Sequence, residues 1–448
     1  MERIGFREKI GHGAFSISCN IIIQFVVTFV LFFYTDVFGI PPAAAGAILA
    51  IGMIWDGATD PIVANISDHY RFKNGDRVRP IMKYVCFPLT IVTIVMFTPV
   101  PLSPIVSIVY CLILYLMYDT LTTLLRLPSF ALPTLATNDQ RDRLSLNTYI
   151  SAGATLGAVL ASVLCWPLVR LFSGTDDAGN LIYPERGFPM AAAVIGLFVI
   201  GGSLLCYFTS KERVRPKKKD EEKLLLRRSF KIIISNSNFR WNAGFSTLYF
   251  VNNSLLTSTL IYYCIYVFND SGLLTIIMAI FAIGSILALP VIKIIDQRIG
   301  RRRAMMLGAL LIIISKIPFV IFPYSVIAMY INALIMGLSV ALNIVTFSVT
   351  RAEVSDHIEH LYNRRIDSMV VNFMGLANKC GTAVTILIIG LVLQLTGYQA
   401  ELSVQPQSVI TGLIVIIGWA PIVLSGVMLF CASKITIENV VAKMKEEV

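Results

Sequence analysis

Two carboxylates in the stretch WDGATDP, Asp56 and Asp60, stand inside an apolar run long enough to cross a bilayer. Spaced i, i+4, they share a helix face with Gly52 one turn before and Ala64 one turn after. An ionised acid facing lipid near mid-membrane costs roughly 2.5 kcal/mol or more, so intramembrane acids face a cavity or a partner. Two such acids about 6 Å apart repel each other unless a proton or cation lies between them. The pair therefore reads as a cation or proton site, as half of a salt-bridge network, or as both. Pro61 adds a break: it offers no N–H to the carbonyl of Gly57, which leaves that oxygen available as a ligand. A guanidinium, Arg126, lies in the equally apolar TTLLRLPSF. It stays protonated and needs an anionic partner. Asp56 and Asp60 could provide one. So could the carboxylate, phosphate or sulfonate of a ligand, held bidentately, and a purely structural counter-charge is the third reading.

The elements that must position these residues are membrane helices. The 448-residue chain is 56% hydrophobic and 14% charged, with a mean hydropathy of +0.75; soluble domains are about 25% charged. Transmembrane barrel strands would alternate apolar and polar residues, whereas these runs are solidly apolar over about 20 residues. Runs of spanning length fall at 14–38, 44–66, 80–101, 104–134, 146–172, 188–209, 240–268, 272–295, 303–323, 325–350, 368–397 and 406–432. The expectation is an all-α integral membrane protein with about twelve transmembrane helices.

The gaps between runs alternate in charge. GIPPAAA, VPLSP, FNDSG and TGYQAELSVQPQS carry no Lys or Arg, while DHYRFKNGDRVRP, NDQRDR, DQRIGRRR and HLYNRR carry many. The positive-inside rule then places the basic loops and both termini in the cytoplasm of a multi-pass protein of the cell membrane. The net charge of +10 is accounted for by these loops, so no nucleic-acid partner is expected. Eight scattered cysteines form no CxxC or paired spacing, which predicts neither a disulfide framework nor a metal centre. The basic N-terminus MERIGFREKIGHG lacks a short apolar segment with a cleavage site, so the first span is expected to direct insertion.

A long charged gap, SKERVRPKKKDEEKLLLRRSFK, divides the spans six and six. It predicts an N-terminal bundle over 1–209, a linker over 210–235 and a C-terminal bundle over 236–448. The linker charge reads either as a lipid-headgroup contact or as ordinary positive-inside charge. SDHYRFKNGDRVRPIM after span 2 and IDQRIGRRRAMM after span 8 echo each other, each opening on an acid (Asp68, Asp296) ahead of clustered arginines. Any cytoplasmic loop favours Arg, but the matched position and order point to an internal repeat, the organisation of rocker-type carriers.

Five motifs in register then carry a resemblance: FFYTDVFGI closing span 1, WDGATDP on span 2, DRVRP after it, LPSFALPTL on span 4 and NKCG on span 11. Together they resemble the glycoside–pentoside–hexuronide:cation symporters of the major facilitator superfamily, over nearly the whole chain. The resemblance implies the major facilitator fold, with two pseudo-symmetric six-helix bundles, and uptake of a sugar with Na⁺, Li⁺ or H⁺. It matches Asp56 and Asp60 to cation-binding acids and Thr123 to a threonine near the cation. It also places Asn20 where the melibiose carriers have a sugar-binding aspartate, and Lys379 on a cavity-facing lysine. Asn20 could equally hydrogen-bond a neighbouring helix. Arg365 and Asp367 resemble an R-x-E pattern near the cytoplasmic end of span 11, with an ordinary interfacial ion pair as the alternative.

Arg126 departs from the pattern, because the melibiose carriers have there an aspartate serving both sugar and cation. The guanidinium could act as a tethered cation, leaving a proton-coupled or uncoupled carrier, or it could bind an anionic substrate. Asn147 and Thr148 stand where many members have an arginine. Phe130 could stack on a sugar face, and so could Trp55, Tyr149, Tyr262 and Tyr263, although helix packing explains each as well. Asp68, and Arg351 with Glu353 and Asp356, suit a cytoplasmic gate network. The histidines lie outside the apolar centres and take no assigned role. The expectation is a monomeric symporter of a sugar, glycoside or hexuronide with H⁺ or Na⁺, working by alternating access, without cofactor or enzymatic activity. Its partners are the small-molecule substrate, sugar or acidic sugar, and membrane lipid. A carrier of an anionic substrate or a lysolipid is the alternative reading.

Overall fold

The computed structural model describes residues 4–69, 71–72, 75–137, 139–175, 181–214, 226–362, 367–400, 402 and 404–437. They are almost wholly helical, with one isolated antiparallel bridge between Thr175 and Leu181. In chain order come α1 (Phe6–Phe32, continued by a π-turn Phe33–Val37), α2 (Pro42–His69), α3 (Arg79–Met96), α4 (Pro104–Ala136), α5 (Gln140–Ser173) and α6 (Pro184–Thr209). A short α7 (Leu226–Ser235) precedes α8 (Ser237–Tyr266), α9 (Leu273–Ile299), α10 (Arg301–Ile321), α11 (Val326–Tyr362) and α12 (Asp367–Leu395). The last span is α13 (Gln407–Ile414), a π-turn (Val415–Trp419) and α14 (Ala420–Ser433). Each of the twelve apolar runs finds its helix.

Local chemistry sets the helix ends. Pro42, Pro104 and Pro184 open α2, α4 and α6, where the missing N–H costs no helical hydrogen bond. Asp139 caps α5 by accepting from the Arg141 N–H at 2.7 Å, and Asn236 caps α8 by accepting from Phe239 at 3.1 Å. Gly300, at φ +80°, makes the left-handed turn between α9 and α10 that a side chain would resist. Among the described residues, ten helical segments are long and apolar enough to cross a membrane. Of the other two expected spans, α8 carries buried Asn238, Asn242, Ser246, Asn252 and Ser254, which lower its hydropathy. In α9 the side chains described without a break run only over Leu273–Ala288, and that stretch is apolar. The first helix begins at Phe6 rather than near residue 14. Its polar first turns stay helical because Glu8 is buried in an ion pair, which hydropathy does not register.

The described chain forms two compact units. The first comprises Met1–Lys219 with Asn269–Thr275 and Gln399–Ser403; the second comprises Asp220–Phe268, Ile276–Tyr398 and Val404–Val448. In the first unit α1 packs on α5 and α6, α3 on α4 and α6, and α2 on α4. Its aromatic core stacks Phe29 on Trp166 (5.5 Å, 18°) and Phe97 on Phe188 (5.9 Å, 8°). Gly157 on α5 lets the α1 backbone approach so closely that an added Cβ would lie 2.5 Å from the Ile17 carbonyl oxygen.

At the basic end of this unit, the residues after α6 tie several helices together. Glu212 accepts the backbone N–H groups of Arg77, Val78 and Arg79 at 2.8 Å each, so its charge faces the start of α3. The Arg79 side chain donates to the Tyr207 carbonyl at 2.9 Å and lies over the Tyr207 ring, 4.6 Å from its centroid. Glu8 holds Arg213 by two hydrogen bonds of 3.0 Å, and the backbone N–H groups of Arg213 and Val214 donate to the Leu135 carbonyl.

In the second unit α8 packs on α11, α12 and α14, and α10 on α11 and α14. Ser246 and Thr247 donate to the Asn378 carboxamide oxygen at 2.9 and 3.1 Å. Tyr262 and Tyr263 are fully buried among helices. Seven of the eight cysteines are buried and act as small apolar side chains, while Cys380 is exposed.

Candidate functional site

The acids of α2 meet α4 along one seam in the first unit. Gly52 lies against the Tyr115 ring, the Trp55 indole N–H donates to Thr120 Oγ1 at 3.0 Å, and Thr123 Oγ1 donates to Asp56 Oδ1 at 2.8 Å. The three contacts advance together along both chains, so α2 and α4 run parallel. The register depends on Gly52, because a Cβ there would overlap Tyr115. Gly52→Leu is therefore expected to part the helices and destabilise the fold by about 1–3 kcal/mol. A lowered unfolding midpoint in detergent would show it, and an unchanged one would contradict this packing.

Asp119 was not singled out from the sequence and belongs to the same stripe of α4, one turn after Tyr115 and one turn before Thr123. Its Oδ2 is shielded from solvent. The argument applied to WDGATDP, an acid amid apolar residues, would have found it in YLMYDTLTT. Lys316 on α10 was likewise missed. It is fully buried, and its Nζ has no hydrogen-bond partner among the described residues.

Farther along α4 the stripe continues to Arg126 and Phe130, both exposed. The Arg126 guanidinium carbon lies 5.8 Å from the Phe130 ring centroid. Among the described residues no ion pair joins Arg126 to Asp56 or Asp60. Asp60, one turn beyond Asp56, is exposed at about the level of Arg126 by the same register. Exposed charges on a membrane-spanning segment mark a face turned to water rather than to lipid.

The remaining candidates are more dispersed. Asn20 turns its amide to the Ser16 carbonyl of its own helix at 2.9 Å, with its Cβ near Gly157. Lys379 is half-buried on α12 next to Asn378. Glu353 pairs with Arg301 at the start of α10, and Arg351 is half-buried two residues earlier on α11. Trp55 is half-exposed and held by Thr120, while Tyr149 meets Phe6 edge to face at 6.5 Å. Arg365 and the side chains of Asp68 and Asp367 lie outside the described residues. Among the described residues no three His, Cys, Asp or Glu side chains are grouped to hold a metal ion.

Long apolar helices, with acids and a guanidinium set into the spans, define a polytopic helical membrane protein. A solved bacterial homologue of the human lysosomal transporter Spinster, in an inward-facing and unoccupied conformation, has the same fold. Its TM-score is 0.71 at 14% identity, covering 97% of this chain and 98% of that one. The model of the MFS/sugar transport protein family matches residues 11–439, and the chain belongs to that family. It is a transporter and not an enzyme. An isoprimeverose transporter of Lactiplantibacillus pentosus is 24% identical over 94% of this chain and 86% of its own length. A glucuronide carrier protein homolog of Escherichia coli (strain K12) is 22% identical over 92% and 88%.

Proposed function

We propose that the protein is a cation-coupled symporter of a sugar or glycoside, with preference for an acidic one such as a uronide. The carrying observation is the 2.8 Å hydrogen bond from Thr123 to Asp56, made while Arg126 pairs with neither Asp56 nor Asp60. A tethered guanidinium would have to reach the acids to replace a coupling ion. Instead the Thr123 hydroxyl and the Asp56 carboxylate supply oxygens suited to H⁺ or Na⁺, with Asp60 one turn away. Arg126 is then available to take a substrate carboxylate bidentately beside the Phe130 ring, which offers an apolar face for the sugar. Binding of the ion relieves repulsion among the acids and favours the substrate-loaded state. The six-plus-six repeat supports transport by alternating access, and the basic loops support cytoplasmic termini. The isoprimeverose and glucuronide relatives fit a neutral and an acidic sugar respectively.

Proteoliposome uptake of matched neutral and acidic sugars, with Na⁺ and pH gradients imposed separately, tests the proposal. Accumulation of an acidic sugar driven by one of the two gradients is expected. Equilibration without accumulation under both would leave an uncoupled carrier, and no sugar uptake at all would remove the reading.

A further inference from the structure

On the first unit an apolar groove of about 510 Å³ runs between α1 and α6, lined by Ile17, Ile21, Leu197, Phe198, Gly201 and Leu205 among others. Along α6 it extends from Val194 to Leu205, about 16 Å at 1.5 Å per residue. That is close to half of a ~30 Å hydrocarbon core, the depth of a single leaflet. The groove reaches toward the basic end of the unit, where α6 stops at Thr209 and α1 starts at Phe6.

Charge at that end is mainly basic, although Asp142 of α5 accepts from the Ile4 N–H at 3.3 Å. The acids nearest in sequence, Glu8 and Glu212, are both consumed internally, by Arg213 and the Lys211 N–H and by the start of α3. Arg7 and Lys211 remain exposed, and among the described residues neither forms an ion pair. Exposed Phe208 continues the lining stripe of α6 to the level where the aromatic belt of a membrane protein sits. Two glycines divide the labour on α6. A Cβ at Gly202 would strike Ser18 and the Ala14 carbonyl, so that glycine serves helix packing. A Cβ at Gly201 would meet nothing within 4 Å, so that glycine holds the groove open.

We propose that this groove is a binding site for an anionic phospholipid of the cytoplasmic leaflet. One acyl chain lies along Ile17, Phe198 and Gly201, and the headgroup phosphate sits between Arg7 and Lys211. The leaflet assignment rests on the orientation proposed above; the binding itself is independent of transport.

Native mass spectrometry of the purified full chain with phosphatidylglycerol or phosphatidylcholine tests the site without reference to uptake. Wild type is expected to retain one phosphatidylglycerol at least about tenfold more tightly than phosphatidylcholine, given two cations near the headgroup. Arg7→Gln with Lys211→Gln is expected to abolish that preference while leaving phosphatidylcholine binding intact. Gly201→Leu, whose Cβ would meet nothing within 4 Å and whose side chain would occupy the groove, is expected to weaken both lipids. Equal binding of the two lipids to wild type would overturn the proposal, as would an undiminished preference in the double variant. If Gly201→Leu fails to fold, the double variant, altered only at exposed positions, decides.

Discussion

Asp56→Asn is expected to stop gradient-driven accumulation of substrate while leaving the helices assembled. The substitution keeps the size of the side chain and an oxygen for the Thr123 hydroxyl, but removes the charge that draws a cation or holds a proton. A hydrogen bond to a charged group contributes about 1.5–3 kcal/mol, which corresponds to roughly tenfold to a hundredfold in apparent cation affinity. The measurement is the dependence of uptake on Na⁺ and pH in proteoliposomes, with counterflow of preloaded substrate as the control for an intact carrier. Counterflow should persist, because exchange needs no net movement of the ion. Thr123→Val should weaken the same dependence less, since it removes a neutral hydroxyl, and Thr123→Ser should restore it. Wild-type coupling in Asp56→Asn would sink the assignment of the ion to this seam.

Arg126→Gln is expected to raise KM for an acidic sugar by roughly tenfold to a hundredfold, again the range of a charge-assisted bond. KM for a matched neutral sugar should hardly move. The contrast between the two sugars separates recognition from folding, because a misfolded carrier loses both. It also decides between the two roles of the guanidinium. As a tethered cation, Arg126 would screen the acids, and its removal would strengthen Na⁺ dependence. As a substrate ligand it would leave the ion dependence alone, and the absence of an Arg126–Asp56 or Arg126–Asp60 pair supports that second outcome. A rise in Na⁺ dependence without a change in KM for the acidic sugar would reverse the assignment.

The spans were legible because a hydrocarbon environment leaves the chain little choice. Every buried backbone group must be satisfied within its own helix, so apolar length alone marks α2 to α6 and α10 to α12. Two things blurred that signal. α8 buries asparagines and serines against its neighbours, and α1 buries Glu8 against Arg213, so both are more polar than their burial suggests. Asp56 and Asp60 were legible for the converse reason, since an acid among apolar residues is conspicuous and costs free energy without a partner. Asp119 obeyed the same rule and went unnoticed only because no motif surrounded it.

What the sequence determined by itself was the membrane, the helical spans and the presence of charges that need partners. These follow from composition and period, which are properties of single helices. Which charge meets which partner was decided only by the tertiary structure. Gly52 against Tyr115 sets the register of α2 on α4, and that register brings Thr123, not Arg126, to Asp56. A shift of one helical turn would have put a different α4 side chain against the acid. No local pattern encodes such an offset, because it depends on how two side-chain surfaces interlock.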